Sequence, residues 1–354
     1  MKHKVAFSLL FLALAPTALA STTWYVDGVH GSDNNNCKSR QTACKTIGHA
    51  ISLASSGDSI RVAAATYTEN LTIGINLKIL GARATTTIID GGGVGTVVSI
   101  GGSRVALRQL TIRNGFAIRG GGIDNSGKLA IDHSSISGNA AEVTSFCGVY
   151  GGAGIYNGGT LTISDSTVSR NIISHRGVGA PCGGGIYNSS GRLTINNSTV
   201  SENSADDVGG GIFNKGGTLM ISSSTIAANS AGSGGGIHGS ATLRNSIVAD
   251  NSGGNCSGTM TSKGYNLSSD NTCNFNNTGD LNNTDPKLGT LGNYGGPTQT
   301  NPLLSGSPAI DAGNPTGCTD GHGHLLKTDQ RGKPRPDKED ETGCDMGAYE
   351  RQRD

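Results

Sequence analysis

GIDNSGKLAIDHSSISGN, residues 122–139, is a sentence that the chain goes on to repeat. With the branched residue near its end as origin, Ile136, Val168, Val200, Ile226 and Val248 align. Two residues earlier every copy has serine (Ser134, Ser166, Ser198, Ser224, Ser246), and three residues later asparagine (Asn139, Asn171, Asn203, Asn229, Asn251). Seven and five residues before the origin stand Leu129 and Ile131, Leu161 and Ile163, Leu193 and Ile195, Leu219 and Ile221; the shorter fifth copy keeps Leu243. Upstream, each after a glycine, are Ile123, Ile155, Ile186, Ile212 and Ile237, followed two residues on by Asn125, Asn157, Asn188 and Asn214. The spacing falls from 32 residues (Ile136 to Val168) to 22 (Ile226 to Val248). A period of this length marks a solenoid, propeller or array. Three very short apolar runs per copy, separated by Gly, Asn and Ser, suit one coil of a parallel β-helix, since a propeller blade needs longer strands. Equivalent residues then stack about 4.8 Å apart. Ile, Leu and Val ladders fill the core, and the two Asn columns are expected at corners, where Asn tolerates left-handed backbone and its amide bonds to adjacent coils.

The chain has 354 residues, 34% hydrophobic and 4% aromatic, with 57 Gly and a net charge of +1. A solenoid with a narrow aliphatic core tolerates that composition. No Lys/Arg-rich run offers a nucleic-acid footprint. Residues 1–20 read as a secretory signal, with Lys2, His3 and Lys4 before an apolar stretch and Ala18-Leu19-Ala20 as the cleavage site. No other stretch approaches the about 20 apolar residues that a membrane-spanning helix requires. A secreted or cell-surface location permits disulfides. Eight cysteines allow 105 pairings, of which nearest-neighbour pairing is preferred: Cys37–Cys44, Cys147–Cys182, Cys256–Cys273 and Cys318–Cys344. Cys147 and Cys182 both lie in extra residues that lengthen successive coils.

Residues 21–58 read as a strand (Trp24 to Asp27) and an amphipathic capping helix marked by Ile47, Ala50, Ile51 and Ala54. Residues 59–284 are the β-helix, with about eight coils to residue 255 and irregular coils beyond. Residues 285–354, richer in proline and charge, are expected as a separate C-terminal module or cap.

The GGGI and [VI]xxN elements resemble the repeats of chlamydial polymorphic outer membrane proteins and of the wider pectin-lyase-like superfamily. Gly57-Asp58 through Tyr67, Glu69, Asn70, Leu71, Thr72 and Ile73 is similar to the first coil of many such bacterial proteins. LGNYGGPTQTNPLLSGSPAIDAG, DQRGKPRP and CDMGAYE, within residues 285–350, resemble the region called choice-of-anchor Q in exported bacterial β-helix proteins. These resemblances imply an all-β, right-handed, single-stranded parallel β-helix of pectin-lyase-like type with an N-terminal helical cap. They imply fold and export rather than a reaction.

The residue after each repeat isoleucine forms the most variable column: Asp124, Tyr156, Tyr187, Phe213 and His238. If isoleucine points inward this column points outward, giving an aromatic strip suited to sugar rings, unless the insertions tied by Cys147 and Cys182 fold over it. Ile131-Asp132-His133 resembles part of a pectate lyase motif, which would imply Ca²⁺, but the carboxylate cluster and the R-x-P-x-x-R element of that family are missing. Asp206-Asp207 with His238-Gly239 resembles polygalacturonase elements, again without the family's partner residues. Asp329, Arg331, Arg335, Asp345 and Glu350 are expected to form salt bridges and turns, with Met346, Ala348 and Tyr349 packed beside them. His322 and His324 lack an evident third metal ligand. No cofactor is expected. The balance favours a non-catalytic secreted or surface protein that binds polysaccharide, a cell-surface glycan or another surface partner. The alternative is an extracellular polysaccharide lyase or glycoside hydrolase.

Overall fold

The computed structural model describes residues 21–143, 150–175, 180–337 and 343–353. Residues 1–20, read above as a secretory signal, and Cys147 lie outside them. The chain winds as a right-handed parallel β-helix built from three long parallel sheets. One coil shows the order. Ile123–Asn125 belongs to the third sheet, Lys128–Asp132 to the first and Ser135–Ser137 to the second, and Ala140–Val143 starts a short fourth. The first sheet holds ten strands, from Thr23–Val26 to Met260–Ser262. Eight of them fall between residues 59 and 255, as the repeat count anticipates.

The aligned columns pair in register: Ile123 with Ile155, Leu129 with Leu161, Ile136 with Val168. These aliphatics are 3% exposed or less, so the core is a continuous column rather than a set of separate coil interiors. Fully burying each such side chain contributes roughly 1.5–3 kcal/mol before entropy.

The polar ladders complete the corners. Asn139 Nδ2 donates to Asn171 Oδ1 (2.9 Å), Asn171 to Asn203 (2.9 Å), Asn203 to Asn229 (2.9 Å) and Asn229 to Asn251 (2.9 Å). Asn125, Asn157, Asn188 and Asn214 form a second ladder at 2.7 Å per step. In the serine column each backbone N–H donates to the next coil's hydroxyl, from Ser134 to Ser166 (3.0 Å) through Ser224 to Ser246 (3.2 Å). The amide ladders are as expected, but the left-handed backbone falls elsewhere. It belongs to the residues just before the serines (His133, Asp165, Asn197, Ser223, Asn245) and just before the Asn139 column (Gly138, Arg170, Glu202, Ala228, Asp250). Each ladder asparagine itself must stay extended enough to aim its amide along the coil axis.

The glycine runs have the same origin. A Cβ on Gly154 would stand 2.4 Å from the Gly185 carbonyl and 2.9 Å from the Asn171 amide carbon, so the ladder excludes any side chain there.

The amino-terminal end is closed by the helix Ile47–Leu53, with Ile47 and Ala50 buried against the core. Thr46 caps it by accepting from His49 N, and the Glu69 carboxylate accepts from the Ile47 and Gly48 amides (2.9 and 2.8 Å). At the other end Phe275 and the Cys256–Cys273 disulfide join the core. Cys37–Cys44 and Cys318–Cys344 are also bonded. The remaining expected pair depends on Cys147.

The described residues of 285–353 lie along the flank of the second sheet and reach over the adjoining end of the first. Thr167, Thr199 and Thr225, which alternation turns outward, are at most 1% exposed beneath this segment. Thr167 donates to Gln299 O (2.5 Å), Thr199 to Gln330 Oε1 (2.6 Å), and Thr225 Oγ1 accepts from Ala348 N (3.1 Å). The expected charge pairs form inside the segment: Arg331 with Asp329 and Arg335 with Glu350, each at 2.7 Å and almost wholly buried. The Arg331 guanidinium also lies 3.5 Å from the Tyr349 ring centre.

Candidate functional site

The column Asp124, Tyr156, Tyr187, Phe213, His238 does stack, coil upon coil. Ring centres are 5.3 Å apart for Tyr156–Tyr187, 5.1 Å for Tyr187–Phe213 and 5.4 Å for Phe213–His238. Yet the strip does not face solvent. Tyr187 is 0% exposed, Tyr156 and Phe213 8%. Cys182 and Val208, from the arcs that enter these strands, pack over the rings, and Gly151 lies against Tyr187 so closely that a Cβ there would meet the ring at 2.3 Å. Burial pushes the Tyr187 hydroxyl up to about 12. Asp124 is held by Arg119 (2.6 Å), which itself covers Tyr156 at 4.6 Å. Of the two arrangements the sequence allows, the chain adopts the covered one. The stack is a second, aromatic core.

Asp206 and Asp207 do not act together on His238: Asp207 lies near enough to favour its charged form, without an ion pair among the described residues. Asp206 is bonded to His175 (2.8 Å), and His238 packs on Phe213. His324 pairs with Asp320 (3.1 Å) in an exposed loop.

Asp132 and His133 gain a partner that sequence reasoning missed. At the corner between the first and second sheets, Asp132, His133 and Asp165 offer ligand atoms all within 4.8 Å of one another. Asp132 accepts from Arg108 (2.6 Å) and lies 2.9 Å from His133 Nδ1. Burial works to raise Asp132, but the His133 and Arg108 contacts outweigh it and hold the carboxyl below its ordinary value. The hydrogen bond to Asp132 raises His133. Burial lifts Asp165 to about 6, although Asn197 Nδ2 donates to it at 2.6 Å. Two neighbouring carboxyls with separated proton affinities are an acid–base arrangement. They do not fit Ca²⁺, which takes about six to eight oxygen ligands. Here one carboxylate is tied to a guanidinium and an imidazole, and the other accepts from an amide. The signal for Asp165 was its place in the polar column before the serines, which varies as freely as the aromatic one.

The outer face of the first sheet is the other feature that composition hid. Its outward, exposed side chains include Arg61, Lys78, Arg104, Arg108, Lys128 and Arg192. Arg104 and Lys128 sit side by side in register, with Arg192 two strands further along the same column. Among the described residues Asp132 is the one acid at an outward position of this sheet, and Arg108 takes it. The carboxy-terminal half of the face is covered, since Gly321 lies on Thr194 and Asn196, and Arg244 bonds Thr319. The open half extends over five strand spacings, roughly 24 Å. A chain of net charge +1 therefore concentrates cations on one flat, rigid surface.

No family model matches the chain, and no curated protein matches it. Solved structures similar to it include pectate lyase Pel9A, 13% identical, with 94% of this chain and 98% of that one covered and a TM-score of 0.47. The GH136 lacto-N-biosidase from Eubacterium ramulus is 12% identical over 70% of this chain, with a TM-score of 0.42; the match spans 56% of that enzyme's chain. Pectin methylesterase PemA from Erwinia chrysanthemi is 15% identical over 68% of this chain and 81% of its own, with a TM-score of 0.37. Among the described residues no helix is long and apolar enough to cross a membrane.

Proposed function

We propose that this is an exported, non-catalytic β-helix protein that binds an acidic polysaccharide along the open half of the first sheet. The cationic face carries the reading. Arg61, Lys78, Arg104 and Lys128 have no acidic partner among the described residues, and they stand on four successive strands, Arg104 and Lys128 in one column with Arg61 and Lys78 in two adjacent ones. Such a surface attracts an extended polyanion and orients it along the coil axis. The disulfides fit an oxidising, extracellular setting. The signal-like start and the choice-of-anchor-Q-like motifs of residues 285–350 agree with export and surface display. Arg104→Glu with Lys128→Glu is expected to weaken retention on an immobilised uronic-acid polymer about tenfold or more, leaving the unfolding transition unchanged. Unaltered retention of the folded variant sinks the proposal.

A second reading, cleavage of the bound chain, is favoured by the Asp132–Asp165 pair at the rim of the same face. Ligand oxygens of the two lie within 4.8 Å of each other, close enough for both carboxyls to act on one glycosidic bond. In that role Asp165, with its raised proton affinity, is the acid and Asp132 the ionised partner. The reading predicts reducing ends or unsaturated products from uronic-acid polymers near pH 6, lost in Asp165→Asn. Absence of both products from the native protein removes it.

A further inference from the structure

At the amino-terminal end of the cationic face lies a cavity of about 350 Å³ between the first strand, the loop that follows Cys37, and the next two coils. Its walls are apolar, from Val26, Ala43, Val62 and Leu80, and its polar lining includes Tyr25, Arg40 and Arg61. Arg40 and Arg61 are exposed at their outer ends and make no ion pair among the described residues. Asp27, the acid of the lining, is engaged locally. Its Oδ1 accepts from the Val29 and His30 amides (2.9 and 3.1 Å), and its Oδ2 lies 3.3 Å from His30 Nδ1. The cavity thus presents two uncommitted guanidinium groups beside an apolar wall and a phenol ring. Arg61 and Leu80 belong to the open face as well, in one column that runs Tyr25, Arg61, Leu80, Arg108 across successive strands.

We propose that this cavity is an end-binding subsite that receives the terminal uronic acid residue of an acidic glycan. It rests on the reading of the first sheet as an acidic-polysaccharide face. A guanidinium grips a carboxylate through paired N–H donors, and an apolar wall with one aromatic ring suits the C–H face of a sugar. A neutral hexose offers the guanidinium groups hydroxyl acceptors but no charge to pair with. The sheet beyond Arg61 is flat and suits internal residues of a chain, whereas the half-open cavity at its end, of about 350 Å³, has room for one terminal residue.

The test compares calorimetric titration of the native protein with galacturonic acid, its trimer and galactose, repeated for Arg40→Ala, which touches the cavity alone, and Arg104→Glu/Lys128→Glu, which touches the face alone. The proposal expects galacturonic acid to bind and galactose not to. It expects Arg40→Ala to weaken monomer and trimer by about tenfold while retention on long polymer changes little. The face variant should lose polymer and keep the monomer. If Arg40→Ala leaves monomer binding unchanged, or galactose competes equally, the subsite is overturned while the face reading stands. If the face variant alone is silent, the face reading falls and the subsite survives as a separate site.

Discussion

Asn203→Leu is expected to lower the unfolding free energy by about 4 kcal/mol or more, the largest loss foreseen from a single side chain here. Leucine matches asparagine closely in size, so the effect isolates hydrogen bonding. The Asn203 amide donates to Asn229 Oδ1, Val168 O and Ser201 O at 2.9, 2.9 and 3.2 Å, and its oxygen accepts from Asn171 N and Nδ2 at 3.1 and 2.9 Å. Every partner is buried. Substitution strands donors above and acceptors below, each costing roughly 1–3 kcal/mol when left without water. Because the ladder runs through five coils, the loss falls in mid-column, where no solvent can enter. Urea titration followed by circular dichroism reads it. A midpoint within experimental error of the native one would mean that the ladder adds nothing to what the core columns supply.

Arg335→Met is the second large effect, with an expected cost of about 3–5 kcal/mol. Arg335 joins Glu350 at 2.7 Å, donates to Gly347 O at 3.0 Å and reaches Asn197 Oδ1 at 3.3 Å, so it clasps the docked segment to the coils. Burial pushes Glu350 up to about 8 from 4.5, with Arg335 pulling the other way. The pH dependence follows from that sign. A carboxyl whose folded proton affinity is raised favours folding below about pH 4.5, and its contribution is lost as pH climbs through the folded value. Removing Arg335 raises Glu350 further. The deficit of the variant should therefore stay level from pH 4 to about pH 7 and grow above pH 8, where the native Glu350 ionises beside Arg335 and that of the variant does not, measured as the difference in denaturation midpoint at each pH. A deficit independent of pH would show that Glu350 is not the group left uncompensated.

The core columns were legible because a strand buries alternate residues and a solenoid repeats them, so that Ile123 predicts Ile155 and Leu129 predicts Leu161. The corners were less so. The left-handed position is filled by His133, Asp165, Asn197, Ser223 and Asn245, which share a backbone shape and no chemistry, whereas the conserved-looking asparagines serve as bonding ladders. Alternation correctly turned Tyr187 away from the core axis but could not reveal that the arc before the next strand would lie on it. The docking of residues 285–353 left its trace in Thr167, Thr199 and Thr225, which only look solvent-facing until the segment is placed. The cationic face escaped because a net charge sums over all surfaces, while recognition depends on one.

The most direct measurement of the central claim is the affinity of the native protein for a uronic-acid polymer and for its neutral counterpart, taken as a function of salt and repeated with Arg104→Glu/Lys128→Glu. The account predicts binding of the acidic polymer alone, falling steeply as salt screens the face, and a folded double variant with both the affinity and its salt dependence reduced. Equal affinity for the two polymers, insensitive to salt and to the double substitution, would contradict it.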